Sequence, residues 1–128
     1  MEDCKNTKIC TVEGGIDDDL AGFDIGPNSI ELFNKVILSS KTVFWNGPPG
    51  VFENETFSLG STAFVKAYVE LTKQGGVTIV GGGETVNAVK LVKGAENEIA
   101  HVSTGGGASL ELMEGRTLQL AEKQIISW

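Results

Sequence analysis

Val77-Thr78-Ile79-Val80-Gly81-Gly82-Gly83-Glu84-Thr85 is the stretch that decides how the rest of the chain reads. Four strand-forming residues run into three consecutive glycines, and an acidic residue and a threonine then open a segment, Val86 to Val92, with helical spacing. This predicts a strand, a tight turn and a helix start. Glycines let backbone N–H groups converge without side chains in the way, and a helix N-terminus behind them adds roughly half a positive charge. Such a place attracts phosphate.

Toward the C-terminus, the helix of Val86, Val89, Leu91 and Val92 stops at Gly94, and Ile99 to Val102 reads as the next strand. That strand runs into Ser103-Thr104-Gly105-Gly106-Gly107-Ala108, a second glycine turn of the same design, with Leu110, Leu112 and Met113 in a short helix behind it. Toward the N-terminus lies a helix whose Phe64, Ala67, Tyr68 and Leu71 mark one face, ending at Gly75-Gly76. Before it, Thr42-Val43-Phe44-Trp45 shows no clear alternation, as expected of a parallel strand covered on both faces. Asn46-Gly47-Pro48-Pro49-Gly50 breaks that strand ahead of Val51-Phe52-Glu53. Asp24-Ile25-Gly26-Pro27-Asn28 signals a turn into a further helix, with Asn28 as cap, Glu31 completing a capping box, and Ile30, Phe33 and Ile37 at helical spacing. Residues 1 to 22 are polar and glycine-punctuated, with a strand candidate at Ile9 to Val12 and a solvated acidic run, Asp17-Asp18-Asp19.

Strand–helix alternation at this spacing predicts an α/β fold, a three-layer parallel sheet with helices on both faces. Ligands of such sheets bind beyond the carboxyl ends of the strands, so the loops after Trp45, Val80 and Ser103 should meet there. Three clear strands and one doubtful one make a narrow sheet with long edges. The chain reads as part of a domain.

Composition narrows the function classes. With 128 residues, 41% hydrophobic and 21% charged, the chain is of single-domain size and of soluble globular character. No apolar run approaches the roughly 18 residues of a membrane span, and Met1-Glu2-Asp3-Cys4-Lys5 lacks a signal-peptide pattern, so the expected location is cytoplasmic with no membrane partner. A net charge of −7 with scattered basic residues argues against nucleic acid. It also means that a phosphate site here would work through backbone dipoles, with cationic help from a metal ion or from elsewhere. Cys4 and Cys10 have no CxxC spacing and His101 is far from both, so they read as thiols and an ordinary histidine.

Neither glycine turn is a Walker A loop, and neither satisfies G-x-G-x-x-G, because Val86 and Leu110 stand where the last glycine would be. Glu84 could contact a magnesium ion on a bound nucleotide or only complement the helix dipole. Asn46 and Glu53 flank a Gly/Pro loop at the same edge, where a carboxylate could accept hydrogen bonds from ribose hydroxyls; a turn cap and a surface acid are the bland alternative. Trp45 reads as core, His101 as structural, and no Ser-His-Asp or Cys-His arrangement suggests itself.

Four stretches together resemble the phosphoglycerate kinase family: Asp24-Ile25-Gly26-Pro27, Thr42 to Glu53 (TVFWNGPPGVFE), Gly81-Gly82-Gly83-Glu84-Thr85, and His101 to Gly115 (HVSTGGGASLELMEG). Their order and spacing match as well, over about residues 6 to 118. The resemblance implies that residues 1–128 are a partial C-terminal nucleotide-binding domain of Rossmann-like form. It further implies an enzyme of glycolysis that would move a phosphoryl group reversibly between 1,3-bisphosphoglycerate and Mg-ADP, giving 3-phosphoglycerate and ATP. Carried over position by position, Glu53 would hold the ribose and Asn46 would lie near the nucleotide. Gly81, Gly82, Gly83, Glu84 and Thr85 would form the loop that binds the phosphates and their Mg2+, with Glu84 the metal contact. Thr104, Gly105, Gly106 and Gly107 would put N–H groups on the phosphoryl group in transit, in a reaction catalysed mainly by positioning and charge stabilisation.

The family has Asp where this chain has Glu84, and Leu-Pro-Gly where this chain has Leu118-Gln119-Leu120. The family's N-terminal domain with its basic phosphoglycerate site is not in this sequence, nor is the lysine-bearing first half of the nucleotide domain. The expected ligand of the chain is therefore ADP or ATP, with the phosphoglycerate bound only alongside the missing part and no turnover by the chain alone. Two other readings stay open: a non-catalytic nucleotide-binding or interaction module that pairs an exposed sheet edge with a partner, and an unfolded remnant.

Overall fold

The computed structural model describes residues 7–116, so Cys4 and the Leu118-Gln119-Leu120 departure lie outside the described residues. Three parallel strands, β1 (Thr42–Asn46), β2 (Val77–Gly81) and β3 (His101–Ser103), form one sheet in the order β1-β2-β3. The register sets Trp45 beside Val80 and Asn46 beside Gly81, and Gly81 in turn beside Ser103. All three strands therefore end level with one another, which puts the loops that follow them along one edge.

Helix α1 (Pro27–Ser39) precedes the sheet, α2 (Leu59–Lys73) and α3 (Gly83–Val89) are the two crossovers, and α4 (Gly106–Met113) follows β3. Right-handed crossovers running in one direction along the sheet place α2 and α3 on the same face, with α1 packed beside α2. The core lies under that face. The Trp45 ring meets Phe64 and Tyr68 of α2 at centroid distances of 5.7 and 5.5 Å, and Val65, Leu71, Val80, Ala88 and Val89 are buried around them. On the opposite face, α4 brings Ser109 to the side of Gly81 shared with Phe44. The chain thus has the α/β, Rossmann-like architecture expected of it.

Thr78 joins the layers through a polar contact inside this core. It is fully buried on β2, its hydroxyl lies 2.6 Å from that of Thr72 on α2, and it accepts the Ala100 N–H just ahead of β3. A buried hydroxyl satisfied by two elements favours their relative placement, because moving either would cost it one of its two partners.

Several local expectations change. Ile9 to Val12 is not a strand: no neighbouring strand offers it a ladder, Thr11 instead anchors a turn by accepting from Gly14 and Gly15, and Ile9 and Val12 stay exposed. Asn28 does not cap α1, because Pro27 takes the first helical position and Gly26 the cap, where a missing N–H and a fixed φ suit the helix start. Glu31 pairs forward with Lys35 at 2.6 Å, which leaves no capping box. Helix α3 begins at Gly83, inside the glycine run, since Gly82 with φ 97° completes the turn. β3 begins at His101, two residues later than expected, because buried Ile99 is still tied to the 3-10 turn Ala95–Asn97, its N–H donating to the Ala95 carbonyl at 3.1 Å.

Candidate functional site

The loops beyond the three strand ends are joined to one another by hydrogen bonds. Asn46, the last residue of β1, donates its side-chain Nδ2 to the Gly106 carbonyl at 3.4 Å, and the Gly82 N–H donates to the Ser103 carbonyl at 2.9 Å. The Gly47 N–H donates to Thr85 Oγ1 at 2.8 Å. The two glycine turns also touch backbone to backbone. A Cβ built on Gly106 would stand 2.9 Å from the Gly82 Cα, so this crossing admits no side chain. Gly82 supplies the positive φ that turns β2 into α3, a backbone state that L side chains rarely adopt.

Beside this junction lies a cleft of about 420 Å³, lined by Gly22, Phe23, the loop from Gly47 to Glu53, and Glu84. Its outer wall is pinned in place: Val51 N–H donates to the Phe23 carbonyl at 2.9 Å, and Phe23 stacks on Phe57 with centroids 5.1 Å apart. Glu53 and Glu84 bring two exposed carboxylates to the cleft from different loops. No lysine or arginine among the described residues lines it.

The donors come from helix starts. The first turn-to-turn bond of α3 runs from the Val86 N–H to the Gly82 carbonyl, so the N–H groups of Gly83, Glu84 and Thr85 have no partner within the helix. In the second turn, the Gly105 N–H donates to Ser103 Oγ at 3.2 Å and the Gly106 N–H to the Thr104 carbonyl at 3.1 Å. The first helical bond of α4 runs from Ser109 to Gly105, which leaves Gly107 and Ala108 without a helix partner for their N–H groups. Two helix N-termini therefore open near each other, each favouring negative charge.

The structure thus brings Asn46, Gly81, Gly82, Gly106 and Thr85 into one connected junction, with Glu53 and Glu84 in the adjoining cleft and Thr104, Gly105 and Gly107 on the neighbouring turn. Thr85 is only 1% exposed and faces Gly47, so it lies under the cleft wall rather than in the cleft. Sequence reasoning missed Gly22 and Phe23 as cleft residues; they reach it through contacts across some thirty positions of chain that no local pattern signals. Trp45 is core, as expected, at 5% exposure, and His101 sits exposed on β3.

Magnesium prefers oxygen ligands, keeps several waters, and is held through one or two carboxylates together with substrate phosphates. Among the described residues there is no group of three or more His, Cys, Asp or Glu that could hold a metal by itself. The donor set at hand, an exposed Glu84 carboxylate beside unpartnered helix N–H groups, suits a metal that arrives shared with a phosphate.

The profile described as phosphoglycerate kinase matches residues 1–116. The chain is 57% identical over 113 residues to the phosphoglycerate kinase of Plasmodium falciparum, an alignment that covers 88% of this chain and 27% of that protein. It is 55% identical to that of Yarrowia lipolytica, covering 89% of this chain and 28% of the relative. The solved structure of phosphoglycerate kinase from Coxiella burnetii superposes with a TM-score of 0.66 at 41% identity, covering 73% of this chain and 23% of that one. The chain therefore spans little more than a quarter of the length of the relatives it matches. With the profile running through every strand end and both glycine turns, this chain belongs to the phosphoglycerate kinase family.

Proposed function

We propose that residues 1–128 form part of a C-terminal nucleotide-binding domain and supply the ADP/ATP loops of a phosphoglycerate kinase. In this reading the whole enzyme transfers a phosphoryl group between 1,3-bisphosphoglycerate and Mg-ADP, and the chain alone binds nucleotide without turning over. The observation that carries it is the junction of Asn46, Gly82 and Gly106, which sets two open helix N-termini beside a cleft holding Glu53 and Glu84. Glu53 accepts hydrogen bonds from the ribose hydroxyls. The Gly83, Glu84 and Thr85 N–H groups bind the nucleotide phosphates, and in the Thr104-to-Gly107 turn it is the Gly107 N–H, open at the start of α4, that faces the phosphoryl group in transit, those of Gly105 and Gly106 being taken up inside the turn. Glu84 would hold Mg2+, whose part is to neutralise charge on the phosphate oxygens.

Among the described residues no helix is long and apolar enough to cross a membrane. The proposed site of action is the cytoplasm.

Calorimetric titration of the full chain with Mg-ADP tests the reading. Binding is expected in the wild type and is expected to weaken about fivefold in Glu53→Gln, which keeps an acceptor oxygen but turns a charge-assisted hydrogen bond into a neutral one. No heat from the folded wild type, or 3-phosphoglycerate-dependent ADP formation by the chain alone, would overturn it.

A further inference from the structure

Gly47 is held at both of its polar atoms. Its N–H donates to Thr85 Oγ1 at 2.8 Å, and its carbonyl accepts the indole Nε1–H of Trp45 at 2.7 Å. Both holding side chains are fixed by packing. Thr85 sits in the first turn of α3 at 1% exposure, and Trp45 is wedged against Phe64 and Tyr68 at 5% exposure. Gly47 itself is exposed and opens the loop that runs along the cleft to Glu53. One residue at the rim is thus tied to a helix on one side and to the core on the other.

We infer that Thr85 is a positioning residue for the nucleotide cleft, acting through Gly47. Its hydroxyl locks the wall that ends in Glu53 to the turn that carries Glu84, so the two carboxylates keep a fixed separation. This deepens the nucleotide reading above and rests on it. Thr85 follows Glu84 directly, so one helical turn sends a hydroxyl to Gly47 at the start of the cleft wall and a carboxylate to the cleft. The Thr85 methyl contributes packing, and the hydroxyl contributes register. Without the hydroxyl, the Gly47 N–H loses its acceptor, and the near end of the loop is left to the Trp45 contact, with the Val51–Phe23 bond holding its far end.

The experiment separates hydroxyl from bulk and clamp from ligand. Full-length wild type, Thr85→Val and Thr85→Ser are compared by amide hydrogen exchange at Gly47 and by calorimetric titration with Mg-ADP. Val keeps the branched shape and removes the acceptor; Ser keeps the acceptor and removes the methyl. Exchange at Gly47 is expected to accelerate about fivefold in the Val variant, the scale of one lost hydrogen bond, with Mg-ADP affinity falling by a similar factor. The Ser variant is expected to restore both. Gly47 protection unchanged in Thr85→Val, or lost protection with undiminished Mg-ADP affinity, would overturn the inference. Solvent-like exchange at Gly47 in the wild type would overturn it too, even if the Val variant does not fold. A wild type that protects Gly47 but binds no Mg-ADP would instead sink the nucleotide reading and confine Thr85 to a structural clamp.

Discussion

A methyl group added at Gly106 would stand 2.9 Å from the Gly82 Cα and 3.3 Å from Asn46 Nδ2, whereas one added at Gly107 would meet nothing within 4 Å. Gly106→Ala is therefore expected to lower stability by roughly 1–3 kcal/mol, the usual scale of overpacking. Gly107→Ala should be neutral or slightly stabilising, because alanine suits a helix better than glycine. Urea denaturation of the two variants checks this, and equal midpoints would contradict it. At this scale the sequence was partly legible. Three glycines in a row after a β run announce a turn, yet only the fold reveals that the middle glycine of one turn rests on the middle glycine of the other. Thr85 shows the same limit: its place in the motif was readable, but its burial against Gly47 was not.

Among the elements, α2 has an unusual start. Its cap residue, Ser58, makes no capping bond, since its hydroxyl donates to the Glu55 carbonyl at 3.0 Å. The capping oxygen comes instead from Asp24, whose Oδ2 accepts the Gly60 N–H at 2.9 Å while Oδ1 accepts the Ile25 N–H at 2.8 Å. A Cβ on Gly60 or Gly50 would overlap the Asp24 carboxylate, so this side chain also holds the Phe23 segment against the loop lining the cleft. Asp24→Ala is expected to cost about 0.5–2 kcal/mol, as loss of a helix cap does, with Asp24→Asn in between because one acceptor oxygen remains. Denaturant melts of the three proteins measure it, and an alanine variant as stable as wild type would refute the trans cap. Capping rules offered a signal only for α1, at Asn28 and Glu31, and none for α2, because a cap supplied from thirty-six residues away leaves no periodic trace in the sequence. The three strands, whose signals are local, were readable to within a residue or two, whereas α3 starts and ends three residues earlier than its apolar spacing suggested.

For the whole molecule, charge and incompleteness belong to one argument. The chain carries a net charge of −7, its cleft presents Glu53 and Glu84, and no cation among the described residues lines it. It also spans about 27% of a relative such as the Plasmodium falciparum enzyme, and its α1 exposes Leu32, Phe33 and Val36. The sequence made the shortage of positive charge visible, since charge can be counted without a fold; the α1 face left exposed among the described residues needed the structure. Backbone dipoles at two helix starts are the attraction the described residues offer a phosphate, and they act only over the first turn. Metal-free ADP would thus enter against two carboxylates and the net field, while Mg-ADP brings its own compensating charge. Nucleotide affinity is expected to depend strongly on Mg2+, falling at least about tenfold when EDTA replaces it, a difference of one charge-assisted contact or more. The salt dependence fixes the sign. Metal-free ADP is repelled, so raising ionic strength should screen the repulsion and strengthen its binding, the opposite of a site built on lysines. Calorimetry with and without Mg2+ at low and high salt decides the matter: metal-free ADP that binds as well as Mg-ADP, and more weakly as salt rises, would mean that this chain carries its own cationic site.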